Sequence, residues 1–146
     1  MTMVRRVSVR ALGDVVPAVD ALGPAPTPRF VAMLAVDARD AADAKIEAVV
    51  RALIDRGACA FACAGPDRAR VEEVADGVAI PLEEAGAPAI LTSSHKNVAA
   101  AVQFAGWVIV SDEYKASCGW VLEVRIGDLG DVADVANDGE RAAKRS

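Results

Sequence analysis

Three short runs of apolar residues, each followed by a segment with helical features, most constrain how this chain can fold. The runs cover residues 30–36, 58–64 and 88–92. Continuous apolar runs are typical of strands that are covered on both faces. After the first run, over residues 40–56, apolar side chains recur at the spacing of one helix face: Ile46, Val49, Val50, Leu53 and Ile54. Strands that alternate with helices predict an α/β fold with a mostly parallel sheet.

A fourth strand is predicted over residues 120–126, where apolar and polar side chains alternate between Trp120 and Ile126. Such alternation is typical of a half-exposed strand at a sheet edge. We therefore expect a three-layer sandwich around a four-stranded sheet of order 2-1-3-4, with the last strand at the edge and its direction undecided. The remaining helices are predicted over residues 68–77, with a bent second piece over 82–85 after Pro81, and from Ser94 or Asn97 to Trp107 or Val110.

The domain organisation is predicted from chain length and from one proline-rich segment. A chain of 146 residues fits one domain. Three prolines at alternate positions stiffen residues 23–28 into an extended connector. We expect an N-terminal appendage and connector over residues 1–28, with a possible extra strand or helix, an α/β domain over 29–128, and a flexible tail over 129–146.

Composition narrows the classes of partner. A net charge of -5 argues against nucleic acid, which basic side chains would have to bind. The longest apolar stretch, residues 98–110, falls short of the ~20 residues that span a bilayer. No signal peptide is recognisable. The three cysteines, Cys59, Cys63 and Cys118, lie in or beside apolar runs, so we expect them to be reduced thiols in the core of a cytoplasmic protein. From the net charge and the length of the apolar stretch, we expect neither a nucleic-acid partner nor a membrane partner.

The candidate catalytic and ligand-binding residues lie where the predicted strands end. Ligands of open parallel sheets bind beyond the carboxyl ends of the strands. His95 is a candidate general base that Asp37 or Asp67 would orient. Ser93 or Ser94 is a candidate nucleophile, or its hydroxyl could donate a hydrogen bond to an anion at the helix N-terminus. The competing interpretation is structural, because Ser and Asp also cap helices. The ligand-binding candidates at this edge are Gly65, Thr92, Ser93 and Ser94.

Known site motifs give no support for a metal or a cofactor, and we predict none. If Cys59 and Cys63 lie on one strand, their sulfurs stand roughly 13 Å apart, too far to share a zinc ion. The chain has neither a phosphate-binding glycine loop nor a dinucleotide fingerprint. The Gly-x-Ser-x-Gly elbow of hydrolases is also absent, and Ser94 and His95, adjacent in sequence, rarely face each other.

Half of the aromatic residues lie near the last predicted helix and strand. Trp107, Tyr114 and Trp120 are therefore candidate interface residues for a protein partner or a second copy of the chain. Ordinary packing of the helix on the strand is the alternative. We expect a non-catalytic interaction or self-associating domain of unknown function; the alternative is a small-ligand-binding protein or an enzyme that uses the strand-end residues around His95.

Two resemblances accompany this interpretation. Residues 88–106 resemble the fourth strand and helix of response-regulator receiver domains, in which Thr92 would match the switch hydroxyl. The acidic pair and the phosphoacceptor aspartate of receivers have no counterpart here. Residues 30–128 are similar to an uncharacterised bacterial family of small α/β domains, on the segments 63–67, 92–95 and 124–127 together with Phe104 and Trp107. That resemblance implies the fold and carries no activity.

Overall fold

A computed structural model describes residues 3–37, 41–110 and 118–127, which form one parallel sheet flanked by helices. The α/β class and the parallel sheet are confirmed. The strands are β1 (Met3–Val9), β2 (Phe30–Val36), β3 (Ala58–Ala64), β4 (Leu91–Ser94) and β5 (Trp120–Ile126). The helices are α1 (Val15–Asp20), preceded by a single 3-10 turn (Leu12–Asp14), α2 (Asp43–Asp55), α3 (Arg68–Glu84) and α4 (Val98–Val110).

The sheet has five strands in the order β1-β5-β2-β3-β4, so the predicted four-stranded order 2-1-3-4 is wrong. The chain steps from β2 to β3 to β4 in one direction. It then returns through α4 and inserts β5 between β2 and β1, parallel to both. In β5, Trp120 lies opposite Phe30 on one side and Met3 on the other.

The prediction that β5 lies at an edge is also wrong, and the reason is a charge cluster. Trp120, Leu122, Val124 and Ile126 face one side of the sheet, as expected, and Glu123 on the other side is only 3% exposed. That carboxylate accepts hydrogen bonds from Arg6 of β1 and from Arg125, whose Nη2 lies 3.1 Å from Oε1. Because the pairing compensates the buried charge, a strand with an alternating pattern can occupy the middle of the sheet.

The two sheet faces are covered unequally. Buried residues of α1, α2 and α3 pack on one face, while α4 is the only helix that the described part of the chain places on the other. There, Ala101, Ala105 and Val108 pack on the small side chains of β2 and β3. Three helices on one face follow from right-handed crossovers in one direction, and the return to β5 puts α4 on the opposite face.

The N-terminal residues form both a strand and a helix, the two elements considered possible there. The strand joins the sheet, and the helix packs on one of its faces. Strand β1 pairs along its length with β5, and Val15 of α1 is fully buried. The proline-rich connector lies against the amino ends of the strands. It is held there by hydrogen bonds from Arg5 Nη1 to the Pro24 carbonyl at 3.0 Å and from Trp120 Nε1 to the Thr27 carbonyl at 3.0 Å. The predicted tail, residues 129–146, lies outside the described residues.

Two element boundaries differ from the predictions. Helix α3 continues through Pro81 to Glu84 instead of breaking there. Pro81 lies in its last turn, and Leu82 beyond it still packs against the core, which holds the helix on the sheet. Strand β4 starts at Leu91, later than residue 88, and runs to Ser94. Its last residues pair with β3, with Ser93 opposite Ala62 and Ser94 opposite Cys63.

The cysteines correct the expectation of three reduced thiols. A disulfide joins Cys59, near the start of β3, to Cys118, just before β5, and their Cα atoms are 6.4 Å apart. This spacing suits a disulfide. The remaining thiol, Cys63, is buried, and burial raises its pKa to about 12, with a smaller contribution from Glu72 and Asp76. The cytoplasmic location stays a prediction.

Candidate functional site

The predicted site residues do lie at the carboxyl edge of the sheet. Backbone hydrogen bonds place them there: the Asp37 N–H donates to the Ile126 carbonyl at 2.9 Å, and the Asp67 N–H donates to Val36 at 3.3 Å. The His95 N–H donates to the Cys63 carbonyl at 2.8 Å. The edge therefore runs from β5 through β2 and β3 to β4.

Gly65 lets the chain turn closely at this edge. Its φ of +92° is left-handed, and a Cβ built there would lie 2.7 Å from the Val36 carbonyl oxygen. Any side chain would therefore clash with backbone. The role shown for Gly65 is the tight passage from β3 to α3.

The side-chain contacts of His95 within the described part of the chain are with Ser93 and Phe104. Its Nε2 lies 2.7 Å from Ser93 Oγ, and its ring lies against Phe104 of α4 with the centroids 5.0 Å apart. Within the described residues, His95 has no hydrogen bond to Asp37 or Asp67. Partial burial lowers the pKa of His95 below its ordinary value of 6.5, which favours the neutral ring at neutral pH.

The three hydroxyls before His95 do not converge. Because successive side chains of a strand alternate between faces, Ser93 lies on the α4 side, while Thr92 lies on the α3 side. The Thr92 hydroxyl donates a hydrogen bond to Asp76 of α3. Ser94 is exposed. The sequence left Ser93 and Ser94 as alternative nucleophiles for His95, although the two-residue period of a strand predicts that Ser93 and His95 share a face.

Asn97, rather than Ser94, caps α4. Its Oδ1 accepts a hydrogen bond from the Ala100 N–H at 2.8 Å, which satisfies one first-turn donor. The helix that follows has no charged residue from Val98 to Val110. The helix begins at Val98, three residues after His95.

The outward surface of α4 is apolar and exposed. Val102, Trp107 and Val110 are 41%, 45% and 74% exposed. We call this surface the α4 outer face. It consists of Ala99, Val102, Gln103, Gly106, Trp107 and Val110.

The predicted aromatic interface separates into two places. Trp107 lies on the α4 outer face, and its ring centroid is 6.0 Å from that of Phe104. Trp120 is only 3% exposed and packs against Phe30 on the opposite side of the sheet, with centroids 4.9 Å apart. Trp120 therefore packs in the core, and of the two candidates that the structure describes only Trp107 is exposed. Tyr114 lies outside the described residues.

Two cavities lie away from His95. One, of about 450 Å³, lies between α2 and α3 and is lined by charged residues including Asp43, Glu47 and Arg70. The Arg70 Nε donates to Asp43 at 2.6 Å. The other, of about 200 Å³, lies beside the connector, where Arg56 forms a two-point ion pair with Asp20. In the part of the chain that the structure describes, no group of three or more His, Cys, Asp or Glu side chains could hold a metal ion.

The fold defines an α/β domain with a five-stranded parallel sheet. A family model described as Domain of unknown function (DUF7684) matches residues 12–128, so the chain belongs to that family. This confirms the expected membership of an uncharacterised family. No curated protein and no solved structure matches the chain. None of the described helices is long and apolar enough to cross a membrane.

Proposed function

We propose that this chain is a self-associating module that forms a two-fold homodimer through the α4 outer face. The observation that carries the proposal is the exposure of three large apolar side chains on a helix that has no charged residue. Contiguous apolar patches of this kind commonly mark interaction surfaces.

The energetics of this surface favour burial against another apolar surface. Fully burying a Val or Leu side chain contributes about 1.5–3 kcal/mol. No charged group on α4 has to lose its hydration, so the main opposing cost is the lost freedom of the two subunits. Gln103 is the one amide on this face, and it can hydrogen-bond to its equivalent across a two-fold axis.

The shape of the face supports a second copy as the occupant. Trp107 projects next to Gly106, and a Cβ built on Gly106 would meet nothing within 4 Å. In an isologous interface the same patch contacts itself. Two antiparallel α4 helices can then place each indole over the open backbone of the other copy's Gly106.

The sheet edges are less suited to self-association. An antiparallel pairing of two β1 strands about their centre would bring Arg5 and Arg6 of both copies together. Charged side chains on edge strands oppose such pairing. The other edge, β4, has only four residues. The helix surface is therefore the better interface.

The expected dimer is weak, because a helix of 13 residues is about 20 Å long. Interfaces below about 1,200 Å² usually belong to transient complexes. Sedimentation equilibrium from about 1 to 300 µM brackets the micromolar affinity expected of such an interface. We expect a concentration-dependent monomer–dimer equilibrium for the wild-type chain.

Two charge-introducing variants test where the interface lies. Trp107→Lys should weaken the dimer at least tenfold, because the lysine would be buried unpaired. Ile80→Lys is the matched control, because Ile80 is 51% exposed on α3, which packs on the other sheet face. It should leave the equilibrium unchanged. A wild-type chain that stays monomeric over the whole concentration range would refute the proposal, and a chain that binds only a different protein would give that result. Equal effects of the two variants would also refute it.

A further inference from the structure

We propose that Ser93 is a nucleophile for esters with apolar acyl groups and that His95 is its general base. The inference does not depend on self-association. It comes from the Ser93–His95 hydrogen bond, the aromatic rings beside it and the helix terminus that follows it.

The hydrogen bond has the geometry that activates a serine. Ser93 Oγ and His95 Nε2 are 2.7 Å apart, within the range expected between a nucleophile and its base. With the ring proton on Nδ1, Nε2 accepts the hydroxyl proton. The other acceptor near Oγ, the Phe61 carbonyl, is 3.5 Å away and competes poorly.

The imidazole is held in a state and an orientation that suit a base. Partial burial lowers the pKa of His95, so the ring can accept a proton at neutral pH. Phe104 packs against one side of the ring at a centroid distance of 5.0 Å. In many sites a carboxylate orients the imidazole of the general base. Here the contact with Phe104 orients the His95 ring.

The start of α4 supplies donors for a developing oxyanion. Asn97 Oδ1 occupies the Ala100 N–H. The first two helical N–H groups, those of Val98 and Ala99, have no acceptor within an α-helix, and the helix dipole is positive at this end. Because α4 begins three residues after His95, these donors lie at the same edge of the sheet as the reacting serine.

The substrate class follows from the neighbouring surface. The half-buried Phe104 and the exposed Trp107 continue from the imidazole ring as an aromatic strip, with centroids 6.0 Å apart. An apolar acyl chain can lie along these rings. The carbonyl carbon would then be presented to Ser93.

The reaction balances without a cofactor. Ser93 Oγ attacks the ester carbonyl carbon while its proton passes to His95 Nε2. The tetrahedral intermediate collapses, the carbon–oxygen bond to the alcohol breaks, and the leaving alkoxide takes the proton from Nε2. Water then attacks the carbonyl carbon of the acyl-Ser93 ester while one of its protons passes to His95 Nε2. The bond from that carbon to Ser93 Oγ breaks, and Nε2 returns the proton to Oγ. Ester and water become acid and alcohol.

A fluorophosphonate probe, followed by intact-mass measurement and peptide mapping, tests the nucleophile on the full-length chain. We expect one adduct, on Ser93, and hydrolysis of p-nitrophenyl butyrate by the same residue. Ser93→Ala should abolish both. His95→Gln should slow labelling by about a hundredfold or more, the usual contribution of a general base.

Ser94→Ala is the matched control, because Ser94 is exposed and lies on the other side of β4. It should label at the wild-type rate. Labelling of the wild-type chain should slow as the pH falls and His95 becomes protonated. A chain that takes up no probe, an adduct that persists in Ser93→Ala, or a His95→Gln variant that labels normally with an unchanged melting temperature would each overturn the inference.

Discussion

Breaking the Cys59–Cys118 disulfide should lower the free energy of unfolding of this chain substantially. The bond connects residues 59 apart in sequence. In the chain-entropy account, a loop of this length restricts the unfolded state by about 4 kcal/mol at 25 °C. For a domain of this size, that loss corresponds to a melting temperature about 8–16 °C lower.

The assay compares the same chain with and without reductant, which leaves its composition unchanged. The melting temperature is measured by circular dichroism in the oxidised form and after reduction with a dithiol. Cys63→Ala should show the same dependence on reductant, because Cys63 takes no part in the bond. The double variant Cys59→Ala/Cys118→Ala should melt near the reduced wild-type chain and ignore reductant.

Thiol titration checks the premise separately. Of the three cysteines, two are joined, so the denatured chain should present one thiol before reduction and three after it. Three titratable thiols in the unreduced, denatured chain would contradict the pairing. One thiol, together with equal melting temperatures in both forms, would instead refute the entropic argument.

Three further outcomes are expected. Replacing Glu123 by Ala should lower the free energy of unfolding in urea by about 1–3 kcal/mol, because two arginines lose their buried partner but keep part of their hydration. Glu47→Ala, which removes an exposed pair with Arg51, should lower it by under about 0.5 kcal/mol. Because the pKa of His95 is lowered in the folded chain, the unfolded chain binds more protons at this residue than the folded chain does below about pH 6.5. The stabilising contribution of the neutral ring should therefore be full above that pH and be lost as the pH drops. In melting temperatures measured against pH, His95→Gln should lack this contribution. With a pKa raised to about 12, Cys63 should resist iodoacetamide in the native chain and react after denaturation, which mass spectrometry can follow.

The features that sequence could predict are those set by nearby residues. The apolar runs that became β2 and β3 and the helical spacing that became α2 depend on neighbours within a few positions, and the structure has all three. The edge position of β5 was predicted wrongly because the alternation that suggested it arises from Glu123, whose partner Arg6 lies 117 residues away. No local pattern contains that pairing.

The candidate site shows the same division. The position of His95 at the carboxyl edge follows from its place directly after a parallel strand, since parallel strands end at the same edge whatever their order. Its partner could have been found from the two-residue period of a strand, which pairs it with Ser93. The neutral, packed state of the ring could not, because it depends on Phe104 from a helix whose rotation over the sheet is set by Ala101 and Ala105.

Phe104 also connects the two proposals. Its ring lies between His95 and Trp107, at centroid distances of 5.0 and 6.0 Å. A dimer that buries Trp107 would cover one end of the aromatic strip that the acyl group needs. Labelling of Ser93 should therefore slow when the chain concentration exceeds the dissociation constant of the dimer, and Trp107→Lys should remove that concentration dependence. A labelling rate that is independent of concentration in a chain known to dimerise would show that the two surfaces are separate.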